Sequence, residues 1–206
     1  MNKFLAALAG AAFLLSAPAA HAVSIVNGSF ELGTNPGPGF LTLAAGSNAI
    51  TGWTVGGAGV DYIGGHWQAS EGSRSLDLSA LDAGSVSQTL TGLTAGKEYK
   101  VSFDLAANPA GSANTLVTVS AASASKDFHF SPVGHTTSNM GWATQVFLFV
   151  ADGTSDTLTF LSGTHSATGP ALDNVRIAAT PLPPAILLFG TALAGMGFLG
   201  RRRQAA

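Results

Sequence analysis

Between residues 23 and 180 the apolar side chains recur at every second position, and this alternation limits the chain to strands. In "EYKVSFDLA", Tyr99, Val101, Phe103 and Leu105 alternate with Lys100, Ser102 and Asp104. Successive side chains of a strand point to opposite faces, so the spacing predicts a strand with one wet face. "TLVTVSAA" places Val117, Val119 and Ala121 on one face, "TLTF" does so with Leu158 and Phe160, and "LDNVRI" with Val175 and Ile177. "WATQVFLFVA" is apolar on both faces after Gln145, which predicts a central strand covered on both sides. No helical period longer than two turns interrupts this stretch. About ten short strands separated by polar turns predict an all-β fold, a two-sheet β-sandwich of the jelly-roll kind. "ELGTNPGPGF" and "ANPAGSAN" are rich in Gly, Pro and Asn and read as loops.

A stretch of this length is long enough to enclose one sizeable hydrophobic core. There is no cysteine, so disulfides, thiolate metal sites and cysteine nucleophiles are excluded. All 11 acids lie between residues 23 and 180, but only five of the nine bases do: Arg74, Lys97, Lys100, Lys126 and Arg176. Such a balance repels phosphate backbones, so nucleic acid is excluded as a partner class.

The two ends differ from this stretch. Lys3, the apolar run from Phe4 to Leu15 and the closing "APAAHA" have the layout of a secretory signal peptide over residues 1–22, with Ala20 and Ala22 forming an A-x-A cleavage site. At the other end, residues 181–206, the segment Leu182 to Gly200 carries no charge and stops at Arg201, Arg202 and Arg203. As a helix it would extend about 28 Å, just under the thickness of a bilayer's hydrocarbon core. The expectation is a transmembrane helix over 184–200 with its arginines in the cytoplasm and residues 23–180 outside, against the alternative of a buried core helix.

Motifs of catalysis are missing. No serine sits in G-x-S-x-G and no H-E-x-x-H occurs; His66, His129, His135 and His165 are scattered. No pair among the carboxylates is marked by its neighbours as a glycosidase pair. The expectation is that the chain is not an enzyme. "DYIGGHWQASEG" is the most site-like stretch. It gathers Asp61, Tyr62, His66, Trp67 and Gln68 around a Gly-Gly pair, and aromatic faces with planar polar side chains are what sugar recognition uses. Trp53 and Trp142 are expected in the core. Trp67 is open between core and sugar platform. Arg74 and Asp77 are expected to form a structural ion pair or turn contacts.

Two resemblances add to these readings. "ATPLPPAILLFG" with the arginine cluster resembles the PEP-CTERM sorting signal of Gram-negative bacteria, with Pro181, Pro183 and Pro184 in place of the usual Pro-Glu-Pro. That resemblance implies an exosortase-type membrane protease as a processing partner. It also implies an intermediate anchored in the inner membrane and a final place at the cell surface or extracellular matrix. "VNGSFE", "ITGWTV", "EGSRSLDLS", "QTLTGL", "YKVSFDLAAN" and "GPALDNVRI" together resemble the choice-of-anchor C family, related to plant cell-wall proteins of the galactose-binding-like group. This implies a galactose-binding-domain-like sandwich over residues 23–180. It also implies a structural Ca2+ with Glu31 and Asp173 among its ligands, completed by carbonyls, Asn27, Ser29 or water; the other reading of these two acids is strand-end hydrogen bonding. The functional expectation is a non-catalytic surface protein that binds extracellular polysaccharide. The alternative is a structural or adhesive protein that binds other proteins and has no sugar site.

Overall fold

In a computed structural model of the chain, residues 23–111 and 113–181 are described. The signal-peptide reading with Ala20 and Ala22, the helix over 184–200, Pro183, Pro184 and Arg201 to Arg203 lie outside the described residues. Pro181 is the last residue described. Among the described residues there are eleven strands and no helix.

The strands form two antiparallel sheets. The first holds β1 (Phe40–Leu43), β3 (Val60–Ile63), β4 (Ser75–Asp77), β11 (Pro170–Ala179), β6 (Glu98–Ala107) and β9 (Ala143–Val150), in that spatial order. The second holds β2 (Thr54–Gly57), β5 (Gly84–Thr91), β10 (Ser155–Ser162), β7 (Thr115–Ala121) and β8 (Ala124–Phe130). The core lies between them, as the alternation requires. Tyr99, Val101, Phe103 and Leu105 of β6 face Val117 and Val119 of β7 and Leu158 and Phe160 of β10, all buried. The ring of Phe103 meets Phe160 and Phe128 edge-on, each at 5.1 Å between centroids, and so joins the sheets at their centre. Trp53 packs between Phe30 and Phe160 and donates its indole N–H to the Asn27 carbonyl, as expected of a core tryptophan. Each such side chain contributes about 1.5–3 kcal/mol by leaving water.

One strand departs from expectation. β9 is not central: it pairs with β6 alone and forms the edge of its sheet. Phe147 and Phe149 point into the core, but Val146, Leu148 and Val150 are 41%, 47% and 48% exposed. Two-sided hydrophobicity had signalled burial on both faces, and here one apolar face is open.

β11 contains a bulge. Asp173 lies opposite Asp104, yet Arg176 lies opposite Ser102, so β11 has one residue more than its partner. The extra residue is Asn174, in the left-handed region at φ 52°. The insertion keeps Leu172 and Val175 both facing the core although they are three positions apart, and turns Asp173 and Arg176 outward. The bulge also aims the Val175 N–H at the Gly28 carbonyl, 2.8 Å away. Chain approach is so close there that a Cβ on Gly28 would lie 1.9 Å from the Val175 oxygen. Gly28→Ala should lower the melting temperature by about 3–10 °C, since the backbones must part. Gly39→Ala, with nothing within 4 Å of its Cβ, should leave it nearly unchanged; equal melting temperatures for the two variants would show that this contact does not constrain the fold.

Candidate functional site

Part of the outward face of the six-stranded sheet is polar. Register places Thr42, Asp61 and Asp77 side by side across β1, β3 and β4, and Asp173 beside Asp104 across β11 and β6. Segments between the strands fold over this face and bury it. Trp67 lies there, 4% exposed, over Ile63, Ala106, Ala171 and Met140, with its indole N–H donated to the Ser75 hydroxyl at 2.8 Å. Trp142, expected in the core, instead packs half-buried against this outer cluster and donates to the Gln68 carbonyl at 2.9 Å. Trp67 is therefore neither in the central core nor an open platform: it is the cover of a sheet face.

The other residues of "DYIGGHWQ" separate by strand parity. Tyr62 points inward and is fully buried, its hydroxyl donating to the Phe30 carbonyl. Asp61 points outward, 8% exposed, and accepts a hydrogen bond from the Thr42 hydroxyl at 2.6 Å. Burial pushes its carboxyl above the usual range, against the pull of Thr42 and the neighbouring His66. His66 and Gln68 are exposed. His66 meets the ring of Phe40 edge-on at 5.4 Å, and Phe40 on edge strand β1 is 49% exposed. Phe40 is the aromatic that sequence reasoning missed. Its signal was present, a bulky apolar residue at the end of a Gly-Pro loop, but it reads equally well as a core residue.

Beside this pair lies an open cleft of about 300 Å³, lined by Asn35, Pro36, Gly37, Pro38, Gly64, Gly65, Ser73 and Arg74. The Gly-Gly pair exists for packing: a Cβ on Gly64 would lie 2.0 Å from the Gly37 carbonyl oxygen. Without side chains the pair lets the 35–38 loop lie against it and form the cleft's wall. No carboxylate lines the cleft.

Arg74 and Asp77 do not pair with each other. Arg74 stacks over the Tyr62 ring, 5.5 Å from its centroid, and donates to the Tyr62 hydroxyl at 2.9 Å. Asp77 is buried and accepts from the N–H groups of Ser79 and Gly169 and from the Asn108 amide. Side-chain direction separates them, as Arg74 precedes β4 and Asp77 faces the covered side of the sheet.

Glu31 and Asp173 act on one loop. Glu31 accepts the N–H groups of Ser73 and Arg74 at 2.8 and 2.7 Å, and the Ser73 hydroxyl at 2.9 Å. Asp173 accepts those of Ser70 and Glu71 at 2.8 and 2.9 Å, and that of Asn174 at 2.6 Å. This is the strand-end hydrogen-bonding role. A calcium ion takes six to eight oxygen lone pairs, and here the lone pairs face N–H and O–H donors. Among the described residues no three acid or histidine side chains gather as a metal site, and Glu31 and Asp173 spend most of their acceptor capacity on these donors.

The outer carboxylates are electrostatically unequal. Burial pushes Asp173 up to about 7, with Asp104 adding to the effect and the three N–H donors opposing it. Burial also pushes Asp77 up to about 7. Asp104 is raised by burial but more strongly lowered by Ser70, Thr144 and Asn174, and ends below the usual range. Asp77 and Asp173 therefore bind protons more readily in the folded chain than in the unfolded one. Their contribution is fully present below about pH 4 and is lost as pH rises through about 7. Between pH 5 and 8 the melting temperature should fall by several degrees, and Asp77→Asn should flatten that slope. A melting temperature that rises across this range would contradict the assignment.

The chain belongs to the family described as "Protein of unknown function (DUF642)", whose model matches residues 23–178. Halomucin of Haloquadratum walsbyi is 35% identical over 182 residues; the match covers 85% of this chain and 2% of halomucin, so the chain spans a small fraction of that relative. Among solved structures, the sandwich is similar to TmCBM61, solved in complex with beta-1,4-galactotriose, at TM-score 0.51 and 15% identity, covering 75% of this chain and 96% of that one. It is also similar to the CBM22-1 xylan-binding domain from Paenibacillus barcinonensis, at TM-score 0.45 and 19% identity, covering 69% and 95%. At 15% identity the likeness to TmCBM61 shows the fold alone.

Proposed function

We propose that the chain is an exported, non-catalytic β-sandwich protein that binds polysaccharide through the Phe40–His66 rim and the adjoining cleft. The observation that carries this reading is the exposed Phe40 ring held against His66 beside a cleft lined by Asn35, Ser73 and Arg74. An exposed aromatic face takes the C–H side of a sugar ring, and planar polar side chains take its hydroxyls. The TmCBM61 fold, which holds a galactotriose, supports a sandwich of this shape in such a role. The outer aspartates are buried acceptors and none lines the cleft, which favours binding over hydrolysis. A choice-of-anchor C domain sorted by a PEP-CTERM-like segment gives this function its setting. The N-terminal segment directs export from a Gram-negative cell and the C-terminal one holds the protein in the inner membrane. An exosortase-type protease then delivers it to the cell surface or extracellular matrix. The second reading, a surface protein that adheres to other proteins, is favoured by the exposed row of Val146, Leu148 and Val150 on β9.

Retention of the full-length protein on galactan, xylan and cellulose tests the proposal. Phe40→Ala should weaken retention by about tenfold with an unchanged melting temperature, since its ring is half exposed. Trp67→Ala should instead lower stability by about 3–5 kcal/mol, as expected for a buried tryptophan. Undiminished retention by Phe40→Ala, or no retention of the folded protein on any glycan, would sink the sugar reading.

A further inference from the structure

Building on that reading of the cleft, we infer that its ligand is an acidic sugar, a uronate whose carboxylate docks on the guanidinium of Arg74. The ion pairs among the described residues are His165–Asp82 and Arg176–Glu71, and Arg74 is in neither. Acids are not scarce: residues 23–180 hold all 11 of them against five bases. Lys97, Lys100 and Lys126 are also in neither pair, but they are exposed, whereas Arg74 is half-buried.

One acid is adjacent to it, Glu31. It is the carboxylate that contacts the Arg74 residue, but it does so through the backbone N–H at 2.7 Å, its remaining contacts going to Ser73. The main chain of Arg74 is thus fixed while its side chain is left unpaired. Tyr62 then holds the guanidinium in place. Its hydroxyl donates to the Phe30 carbonyl and so receives Arg74 as an acceptor, and its ring lies under the guanidinium at 5.5 Å. An arginine has five N–H donors, and the hydrogen bonds of the described residues use one. The other four have no partner among the described residues, and Arg74 is half-buried and lines a cleft whose lining holds no carboxylate.

A half-buried cation lacking a partner is costly, and a ligand that supplies the partner recovers that cost on binding. A guanidinium fork matches a carboxylate by two parallel hydrogen bonds, which a neutral sugar's hydroxyls do not reproduce. The rest of the cleft suits the sugar that carries the carboxylate. Asn35 and Ser73 offer hydrogen-bonding side chains to ring hydroxyls, and Phe40 with His66 offers apolar rim for its C–H face. The surplus of acids over the whole sandwich repels polyanions in general, so uronate binding would depend on this fork and not on overall charge.

The test uses polygalacturonate, its fully methyl-esterified form and neutral galactan, with the full-length protein, Arg74→Gln and Arg74→Lys. The ester keeps the backbone and removes the charge. The expected result is at least tenfold tighter binding of polygalacturonate than of its ester, weakening with added salt. Arg74→Gln should lose that preference, its ratio of acid to ester affinity falling to about one. Arg74→Lys should retain part of the preference, because the charge remains and the fork does not. Equal binding of acid and ester, or an acid preference that survives Arg74→Gln, overturns the inference while leaving the sugar site standing. Absence of binding to all three glycans by the folded protein overturns both. If Arg74→Gln melts early, the acid-to-ester ratio of the unsubstituted protein and of Arg74→Lys still decides.

Discussion

Two carboxylates from opposite ends of the sequence hold a single loop, and the outer face of the sandwich depends on that hold. Glu31 comes from the first described segment and Asp173 from the last strand. Between them they accept four consecutive-region N–H groups, from Ser70, Glu71, Ser73 and Arg74. A backbone N–H buried without an acceptor is costly. The loop's path over β11 is thus set by its own donors. Asn174 supports it from below: the bulge turns Asp173 outward, and the Asn174 amide reaches Asp104 while its oxygen takes Arg176.

The site follows from that path. With residues 70–74 fixed, Trp67 is carried across the sheet face and covers it, and Arg74 is delivered to the end of β4. The Gly64–Gly65 pair has already admitted the 35–38 loop, whose far end becomes β1 and presents Phe40. Three features that look unrelated along the chain, a Gly-Pro loop, a Gly-Gly pair and an arginine before a short strand, become the walls of one cleft. The acids Glu31 and Asp173 are occupied in holding this arrangement.

Much of the sandwich was legible from period-two alternation. The inward faces of β6, β7 and β10 are those the spacing of Tyr99, Val117 and Leu158 indicates. Trp53 was legible for the same reason. β9 was not, because an apolar residue on an open edge face has the same letter as one on a covered face; which of the two applies is decided by strand order, a long-range property. The bulge at Asn174 was hidden too, since one left-handed residue resets the parity of everything after it. In the candidate site, the stretch containing Asp61, His66 and Trp67 was singled out but its parts were not sorted. Alternation sends Tyr62 inward and Asp61 outward, yet it does not say that Trp67 will be covered. Arg74 joins the cleft, and Phe40 comes to its rim, only through tertiary approach of the 35–38 loop, which no local pattern encodes.

The central claim is that glycan meets this protein at one place, the cleft and aromatic rim at the β1–β3 end of the six-stranded sheet. Amide chemical-shift mapping of the full-length protein titrated with galactose- or galacturonate-containing oligosaccharides tests it most directly. The account predicts saturable shifts concentrated in residues 35–40, 64–66 and 73–74, with the β8 and β9 strands unmoved. Shifts centred on Lys126, Val146 and Leu148, or none at all at saturating sugar, would contradict it.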